Sequence, residues 1–266
     1  MLTVFWSTHH GQACTTANTA GIACATAFLH KKKILAANTH ARCNSLERCL
    51  FPSRDLAGFD SGDFANHGMD ALLRLSRNGR LQSEMVPDYT WSMLRENRLD
   101  VLPGTEKPAL PDGDGAIRVL DVFKAAKGFY DRIFVDVHSG TEMDGTLPLL
   151  RAADYQMICL NQNANLLDAW FSNKNFREQV ETKNTLFLLS RYDPAVGNTP
   201  ADIARKHGIA RSRIFPIPYS ASLMQACNTG CVYDFLARHL TVAKSPERDL
   251  MLALTDLVEQ LEGGAA

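Results

Sequence analysis

Residues 4–16 read VFWSTHHGQACTT, from Val4 to Thr16, and this stretch decides the fold. An apolar strand, VFW, leads into a short loop, after which Thr15 and Thr16 open a helix pattern of small residues that continues to Ala23. The first turn of a helix leaves backbone N–H groups unpaired and carries the positive end of the helix dipole. We therefore expect a strand, a loop and a helix start arranged to hold an anion such as phosphate.

The rest of the chain alternates apolar runs of strand length with amphipathic stretches of helix length. Strands are predicted at residues 2–7, 34–38, 99–102, 132–137, 155–160, 185–190 and 214–217. Helices are predicted at residues 15–30, 63–77, 116–129, 165–173, 199–207 and 221–229. This alternation predicts a doubly wound α/β fold, in which a mainly parallel sheet is covered by helices on both faces. Ligands of such sheets bind at the carboxyl ends of the strands.

Two segments interrupt this alternation. Residues 51–98 carry helix patterns without a convincing strand, and residues 103–115 form a loop rich in turn-forming residues. Neither segment resembles an interdomain linker, because the alternation resumes directly afterwards. A chain of 266 residues is long enough to bury a substantial core, and open α/β sheets of this size are often one unit. We expect residues 1–266 to form a single domain.

Composition limits the class of partner. The chain has 28 basic and 29 acidic side chains, so its net charge gives no argument for nucleic acid or an anionic membrane as the main partner. Its seven cysteines form no C-x-x-C pair, which is typical of reduced thiols. The chain starts with a strand pattern rather than a leader-like segment, and no apolar run approaches membrane-spanning length. The sequence predicts a cytoplasmic protein that does not enter a membrane.

The order of these segments resembles the ParA/MinD family of deviant Walker-type P-loop ATPases over nearly the whole chain. The family's loop has the pattern K-G-G-x-G-K-T-T, and residues 9–16, HHGQACTT, stand in the same frame. Residues 130–140, YDRIFVDVHSG, are similar to the Walker B strand and its following turn, with Asp136 at the acidic position. Residues 99–104, LDVLPG, resemble the strand before the Walker B helix. The resemblance implies a SIMIBI-like P-loop fold that binds ATP or ADP with Mg²⁺.

Two later motifs extend the resemblance. Residues 189–194, LSRYDP, are similar to the family's N-R-Y-D-P segment, and residues 217–219, IPY, to the loop that closes over the base. Both are close to the CpaE/TadZ branch, which positions pilus machinery. The resemblance assigns nucleotide contacts to His9, His10, Gly11, Gln12, Ala13, Cys14, Thr15, Thr16, Gly140, Ser190 and Pro218. It assigns Mg²⁺ to Thr15 and Asp136, and any catalytic role to Asp136.

The chain departs from the family pattern at the residues that carry charge. Cys14 replaces the Walker lysine, and His9 replaces the signature lysine that reaches across an ATP-bridged dimer. A thiol carries no positive charge, and imidazole is mostly neutral near pH 7. His10 and Ala13 add Cβ atoms where the family has glycine and the backbone approaches phosphate. These changes predict weakened nucleotide binding.

Further substitutions affect catalysis and base recognition. Asn38 and His40 stand where the family has the two acids of a D-x-D sequence, and Ser190 replaces the asparagine that contacts the base. Residues retained from the family's set include Thr15, Thr16, Asp136 and Gly140. Phosphoryl transfer depends on placed charges, so loss of a lysine and an acid should remove roughly 3 kcal/mol or more per group. We expect turnover to fall by orders of magnitude.

Three functions stay open. The first, which we favour, is a ParA/MinD-like positioning protein that binds a protein partner and hydrolyses ATP poorly or not at all. The second is an active ATPase in which protonated His9 faces phosphate and Asp136 holds Mg²⁺. The third is a DNA-associated partition or conjugation accessory protein. Its basic residues would be Arg205, Lys206, His207, Arg211 and Arg213. Without the bridging lysine, a monomer and a homodimer are both compatible with the sequence.

Histidines gather on the loops predicted at the carboxyl edge of the sheet. They are His9, His10, His40 and His138, beside Cys14 and Asp136. Imidazole, thiolate and carboxylate together can build a zinc or other transition-metal site. Drift after the loss of phosphate binding explains the same residues, and their spacing matches no tight ligand motif. Both interpretations stay open.

Three other features favour structural roles. Residues 31–33, KKK, stand at a helix end, where they complement the helix dipole. Cys227 and Cys231 are spaced by one helical turn, and a buried helix face explains them more simply than ligand pairing. Residues 248–261 form an amphipathic pattern with an acidic polar face, whereas membrane-binding helices need basic ones. We expect this helix to pack on the domain or to pair with a partner helix.

Overall fold

The computed structural model describes residues 1–40, 45–56, 67–105, 114–140 and 145–263. Within them, eight strands form one sheet. The strands are β1 Leu2–Trp6, β2 Ile34–Asn38, β3 Trp91–Leu94, β4 Leu99–Leu102, β5 Arg132–Asp136, β6 Tyr155–Leu160, β7 Thr185–Tyr192 and β8 Ile214–Pro218. Their spatial order is β3-β4-β2-β5-β1-β6-β7-β8. All neighbours are parallel except β3, which runs antiparallel to β4.

Helices connect the parallel strands and cover both faces of the sheet. In the first half of the chain they are α1 Thr15–Leu29, α2 Ser45–Leu50, α3 Ser53–Leu56, α4 Gly68–Arg77 and α5 Asp114–Ala126. In the second half they are α6 Leu147–Ala152, α7 Ala164–Phe171, α8 Lys174–Val180, α9 Pro200–His207, α10 Ala221–Thr229, α11 Val232–His239 and α12 Arg248–Gly263. Two 3₁₀ turns, Ser83–Tyr89 and Arg211–Arg213, complete the set. The predicted doubly wound α/β fold is confirmed.

The alternation of side chains along each strand divides the core into two clusters. On β1, Phe5 faces the cluster formed with α1, α10, α11 and α12, whereas Val4 and Trp6 face the cluster formed with α4, α5 and α7. Successive side chains of a strand point to opposite faces, so a strand that is buried on both faces is apolar throughout. This explains why the parallel strands appear in the sequence as nearly continuous apolar runs.

The strand register brings three strand ends to the same level. In β5, Asp136 pairs with Phe5 of β1 on one side and with Asn38 of β2 on the other. The loops that leave β1, β2 and β5 therefore emerge next to one another at the carboxyl edge of the sheet. This edge carries the loop that follows β1.

The segment 51–98 differs from the sequence prediction, because it contains the strand β3. β3 and β4 form a hairpin whose turn places Glu96 and Asn97 at φ +59° and +56°. Two successive positive φ values are typical of a type I′ turn, for which Asn-Gly is the usual sequence signal. Glu-Asn lacks that signal, so the short edge strand was missed.

Several predicted helix boundaries also change. The helix predicted at 63–77 begins at Gly68 in the structure, and residues 63–66 lie outside the described part of the chain. Of the loop predicted at 103–115, residues 106–113 lie outside the described part of the chain, and residues 114 and 115 belong to α5, which starts at Asp114. The helix predicted at 165–173 is α7, which ends at Phe171. A further helix, α8, follows it and was not predicted; Asn173 caps α8 by accepting a hydrogen bond from the Phe176 amide.

The C-terminal helix α12 packs on the domain, which confirms the first of the two expectations for it. Its apolar side is buried against α1 and β8, and a Cβ on Gly21 of α1 would lie 3.9 Å from Leu254. At its end, Glu262 binds Lys32 and, at 2.6 Å, Arg132. Lys32 thus has a structural partner. Among the described helices, none has the length and apolar character needed to cross a membrane.

Candidate functional site

The loop that joins β1 to α1 borders a cavity of about 510 Å³ at the carboxyl edge of the sheet. The start of α1, the helix α2 and the helix α10 form its other walls. Gly11 in this loop has φ +74°, a conformation that glycine adopts without strain. No side chain caps the first turn of α1 in the described structure. The first amide groups of α1 are therefore not satisfied by a side-chain cap, as an anion-binding helix start requires.

Cys14 occupies the position before α1 where the resemblance places a lysine. Its backbone is left-handed, with φ +52° and ψ 34°, and its side chain is half-buried. Burial raises the pKa of the Cys14 thiol, and the Arg191 guanidinium counteracts this only in part. The thiol is therefore neutral near pH 7 and adds no charge to the loop.

The backbone of the loop is held from the neighbouring strands. The Gln12 carbonyl accepts a hydrogen bond from the Asn161 amide at 3.1 Å and one from the Arg191 guanidinium at 3.4 Å. These two donors stand just after β6 and within β7. They fix the loop through a carbonyl group, which repels rather than binds phosphate.

Asp136, at the end of β5, is fully buried and only partly satisfied. Its Oδ2 accepts a hydrogen bond of 2.5 Å from the hydroxyl of Thr16 and lies 3.3 Å from Nε2 of His40. The His40 contact is close enough for charge attraction, but its geometry is not that of a hydrogen bond. Oδ1 has no hydrogen-bond partner within the described residues. Buried polar atoms without partners are uncommon, and here one belongs to a carboxylate.

Asp136 also changes the titration of His40. Burial lowers the pKa of His40, but the adjacent Asp136 carboxylate raises it by more, so the pKa ends above its ordinary value. The two residues thus form a buried pair of opposite charge when His40 is protonated. Because Thr16 rather than Thr15 contacts Asp136 here, the structure does not join Thr15 and Asp136, the two residues assigned to Mg²⁺. The Thr15 carbonyl accepts a hydrogen bond from Thr19.

A second buried carboxyl group, Glu47 of α2, lies next to this pair. Asn38 donates from its amide nitrogen to both oxygens of Glu47 at 2.8 and 2.9 Å, and the Gly104 amide donates at 2.9 Å. Burial raises the pKa of Glu47 to about 7, despite these donors. Glu47 was not predicted as a site residue, because a single glutamate in a six-residue helix gives no sequence signal.

Three of the predicted histidines converge. The ring centroids of His10 and His40 are 6.0 Å apart, those of His10 and His138 are 5.3 Å apart, and those of His40 and His138 are 5.7 Å apart. One ring nitrogen of each lies within 4.8 Å of the others, and His40 is buried while the other two are exposed. His9 is not in this cluster, since its Nδ1 lies 2.9 Å from the Thr8 hydroxyl. Cys14 does not belong to the cluster either.

Other residues assigned to nucleotide have partners within the protein. The Gly140 amide, expected to face a γ-phosphate, donates to the Ser7 carbonyl at 2.9 Å. Ser190, expected near the base, is buried and accepts a hydrogen bond of 2.8 Å from Asn18 of α1. Pro218 ends β8 and is half-buried. In this conformation both groups take part in hydrogen bonds within the protein.

The basic residues around α9 are matched by acids or carbonyl groups. Arg205 pairs with Asp202 at 2.7 Å, Lys206 with Asp168 at 3.1 Å, and Arg213 with Glu181 at 2.9 Å. Arg211 donates to the Ile214 carbonyl, and His207 stacks on Phe171. The geometry gives no support to this patch as a DNA-binding surface.

The pair Cys227 and Cys231 is split by a break in the helix. Gly230 adopts φ +70° and ends α10, so Cys227 is buried on α10 while Cys231 precedes α11. A Cβ at position 230 would overlap the Phe51 backbone, which makes glycine necessary there. The two thiols therefore do not share a helix face.

Solved structures match this fold over nearly the full length, whereas no protein-family model and no curated protein matches the sequence. The ParA family ATPase from Chlorobium tepidum TLS has a TM-score of 0.73 and 18% identity, over 97% of this chain and 98% of that one. The MinC:MinD complex from Aquifex aeolicus has a TM-score of 0.70 and 20% identity, over 98% and 96%. MinD complexed with Mg-ADP from Pyrococcus horikoshii OT3 has a TM-score of 0.65 and 19% identity, over 100% and 99%. The chain has the fold of the ParA/MinD P-loop ATPases.

Proposed function

We propose that this chain is a cytoplasmic, single-domain positioning or partition protein that acts by binding a protein partner and hydrolyses ATP weakly or not at all. The observation that carries the proposal is Cys14, a neutral thiol in a left-handed conformation at the start of α1. Similar structures include MinD in a complex with MinC and a putative plasmid partition protein bound to AMPPNP. The fold thus accommodates partner binding, whereas the loop of this chain lacks the charge that hydrolysis requires.

The residues present fit a magnesium nucleotide poorly. Among the described residues that line the cavity beside the loop, Arg48 on α2 is the only lysine or arginine, and it is exposed. One oxygen of Asp136 already accepts from Thr16, and the Gly140 amide is used by Ser7. What remains for an anion is the uncapped first turn of α1. The Arg191 guanidinium acts on Cys14, but it donates to the Gln12 carbonyl and does not line the cavity.

The expected loss of activity is large. Removing one placed donor from a transition state typically costs about 3 kcal/mol, which corresponds to a factor of 100 or more in rate. This chain lacks both the loop lysine and the acid pair, because Asn38 and His40 stand in its place. Hydrolysis should therefore lie about four orders of magnitude below that of a complete site.

Calorimetric titration with ATP and Mg²⁺, followed by a phosphate-release assay, tests the proposal. Wild type should show weak or unmeasurable binding and no release above background. The variant Cys14→Lys should bind ATP at least about tenfold more tightly, because it restores a charged donor at the loop. Cys231→Lys is the matched control: it makes the same exchange outside the cavity and should leave binding unchanged. Tight binding with steady phosphate release by wild type would overturn the proposal.

Positioning is tested separately in cells. A fluorescent fusion in the native host should concentrate at discrete sites, because a positioning protein follows its partner. The variant Asp136→Asn, which removes the retained acid, should keep this pattern if hydrolysis is not needed for it. A diffuse wild-type fusion would contradict a positioning role, whatever the result of the nucleotide titration.

A further inference from the structure

We propose that His10, His40 and His138 form a transition-metal site, with Zn²⁺ as the best-fitting ion, at the carboxyl edge of the sheet. The proposal uses His10, which the resemblance assigns to nucleotide, and Asp136, which it assigns to Mg²⁺, but its test contains no nucleotide and is therefore separate from the test of the proposed function. It rests on the strand ends that position the three imidazoles, on the metals that imidazole nitrogens bind, and on the carboxylate beside them.

The sheet itself brings the three side chains together. His40 and His138 each stand two residues beyond the paired positions Asn38 and Asp136, at the ends of the adjacent strands β2 and β5. Two hydrogen bonds join the segments just past the strand ends: the Thr39 amide donates to the Asp136 carbonyl, and the His138 amide donates to the side-chain hydroxyl of Thr39. His10 comes from the loop after β1, the other neighbour of β5. Their convergence is therefore a product of strand register.

The donor set selects the class of metal. Three neutral imidazole nitrogens suit Zn²⁺, Cu²⁺, Ni²⁺ and Co²⁺, whereas Mg²⁺ and Ca²⁺ require oxygen ligands. Three histidines with a fourth position for water or another small ligand are a known arrangement for zinc. Zn–N bonds of about 2.0–2.1 Å place ligand nitrogens about 3.3 Å apart in a tetrahedron. Here the nitrogens lie within 4.8 Å of one another, with His10 and His138 exposed and His40 buried.

Asp136 supplies the supporting carboxylate. Metal-bound histidines commonly direct their second ring nitrogen to a carboxylate, which fixes the ring orientation. In this protein Asp136 Oδ2 lies 3.3 Å from Nε2 of buried His40, and Oδ1 has no partner within the described residues. A bound cation would compensate this buried negative charge. Asp136 thus acts as a positioning residue for His40 rather than as a member of the three-nitrogen set.

The variants follow from the geometry. His10→Gln and His138→Gln each remove one exposed imidazole, and circular dichroism checks that each variant keeps the fold. His9→Gln is the matched control, because His9 lies in the same loop but contacts Thr8 rather than the cluster. Cys14→Ser controls for a thiolate ligand. Asp136→Asn tests the positioning role, for which loss of an outer partner costs about 10–100-fold in affinity.

The experiment uses the full chain purified without a polyhistidine tag, treated with chelator and titrated with Co²⁺ and then Zn²⁺. Wild type should bind one equivalent, with the visible absorption of tetrahedral Co²⁺ and no thiolate charge-transfer band. His10→Gln and His138→Gln should each lose at least about 100-fold in affinity, while His9→Gln and Cys14→Ser bind like wild type. Failure of wild type to bind one equivalent overturns the proposal. So does equal loss in His9→Gln, or a thiolate band that disappears in Cys14→Ser.

Discussion

Charged side chains are paired differently at the carboxyl edge, above β1, β2 and β5, and on the basic surface around α9. At the edge, Asp136 and Glu47 are buried with no lysine or arginine against them among the described contacts. Around α9, the exposed cations Arg205 and Lys206 each face an acid. The sequence offered both regions as ligand sites, the edge for a nucleotide or a metal and the basic residues, less favoured, for DNA. The difference indicates that a cationic ligand would compensate the buried acids at the edge, whereas the charges on the basic surface are already compensated within the protein.

The largest expected effect concerns Glu47 and pH. Its pKa is raised from 4.5 to about 7, so the folded state holds a proton that the unfolded state has lost between these values. The stability from this group is therefore fully present below pH 4.5 and is lost as pH rises to about 7. The shift corresponds to roughly 3 kcal/mol in the free energy of unfolding. Urea unfolding at intervals from pH 4.5 to 8 measures it.

The variant Glu47→Gln should remove most of this pH dependence, since it cannot ionise. Exposed Glu84→Gln is the control and should leave the slope as it is. His40 contributes in the same direction, because its pKa is also raised and its stabilising protonation is lost at higher pH. A residual slope near neutral pH is therefore expected in Glu47→Gln. An unchanged slope would mean that Glu47 is ionised in the folded protein.

The second prediction concerns the hydrogen bond from Thr16 to Asp136. Thr16→Val removes the donor and leaves a buried carboxylate with less compensation, which should cost about 2 kcal/mol in the free energy of unfolding. The control is Thr19→Val on the same helix, whose hydroxyl only bonds back to the Thr15 carbonyl. That change should cost less than about 1 kcal/mol. Equal losses in chemical denaturation would show that water compensates Asp136 and that the edge is less dry than the structure indicates.

The sequence predicted structure correctly where burial requires a run of apolar residues. The seven parallel strands were predicted because each is apolar on both faces, and parallel strands end at one edge of the sheet. That rule also predicted that His10, His40 and His138 would share an edge. It could not predict that His9 turns to Thr8, because adjacent residues in a loop follow no fixed side-chain direction. β3 was missed because it is short and its turn, at Glu96 and Asn97, lacks glycine.

The rest of the site depended on contacts between distant parts of the chain. Glu47 is buried by Asn38 and Gly104, which lie in other elements, and nothing local marks it. The Gly140 amide and Ser190 occupy the expected segments, yet partners within the protein engage them. The sequence motifs gave the positions of these groups along the chain. Only the three-dimensional structure shows which of them already form hydrogen bonds within the protein.

The third prediction concerns Arg213 on the basic surface, whose contacts within the protein we expect to contribute to stability. Arg213 donates to the Thr185 carbonyl at 2.8 Å and to Glu181, and its guanidinium lies over the Phe187 ring. Arg213→Lys keeps the charge but loses the planar fork, so it should lower the free energy of unfolding by about 1 kcal/mol. Thermal unfolding measures the change. A neutral result would mean that the fork adds nothing and that Arg213 is more available than its contacts indicate.

The smallest effect is expected for Arg205→Ala. Arg205 is highly exposed, and its pair with Asp202 spans one turn of α9, so the change should alter the free energy of unfolding by no more than about 0.5 kcal/mol. Duplex DNA titrated at several salt concentrations supplies the decisive comparison. A surface already matched by acids should bind DNA weakly, and Arg205→Ala should leave both affinity and salt dependence unchanged. If wild type instead bound tightly and the variant lowered the salt slope by about one, phosphate would compete successfully with Asp202 for Arg205. The basic surface would then be a binding site, and internal pairing would no longer distinguish it from the edge.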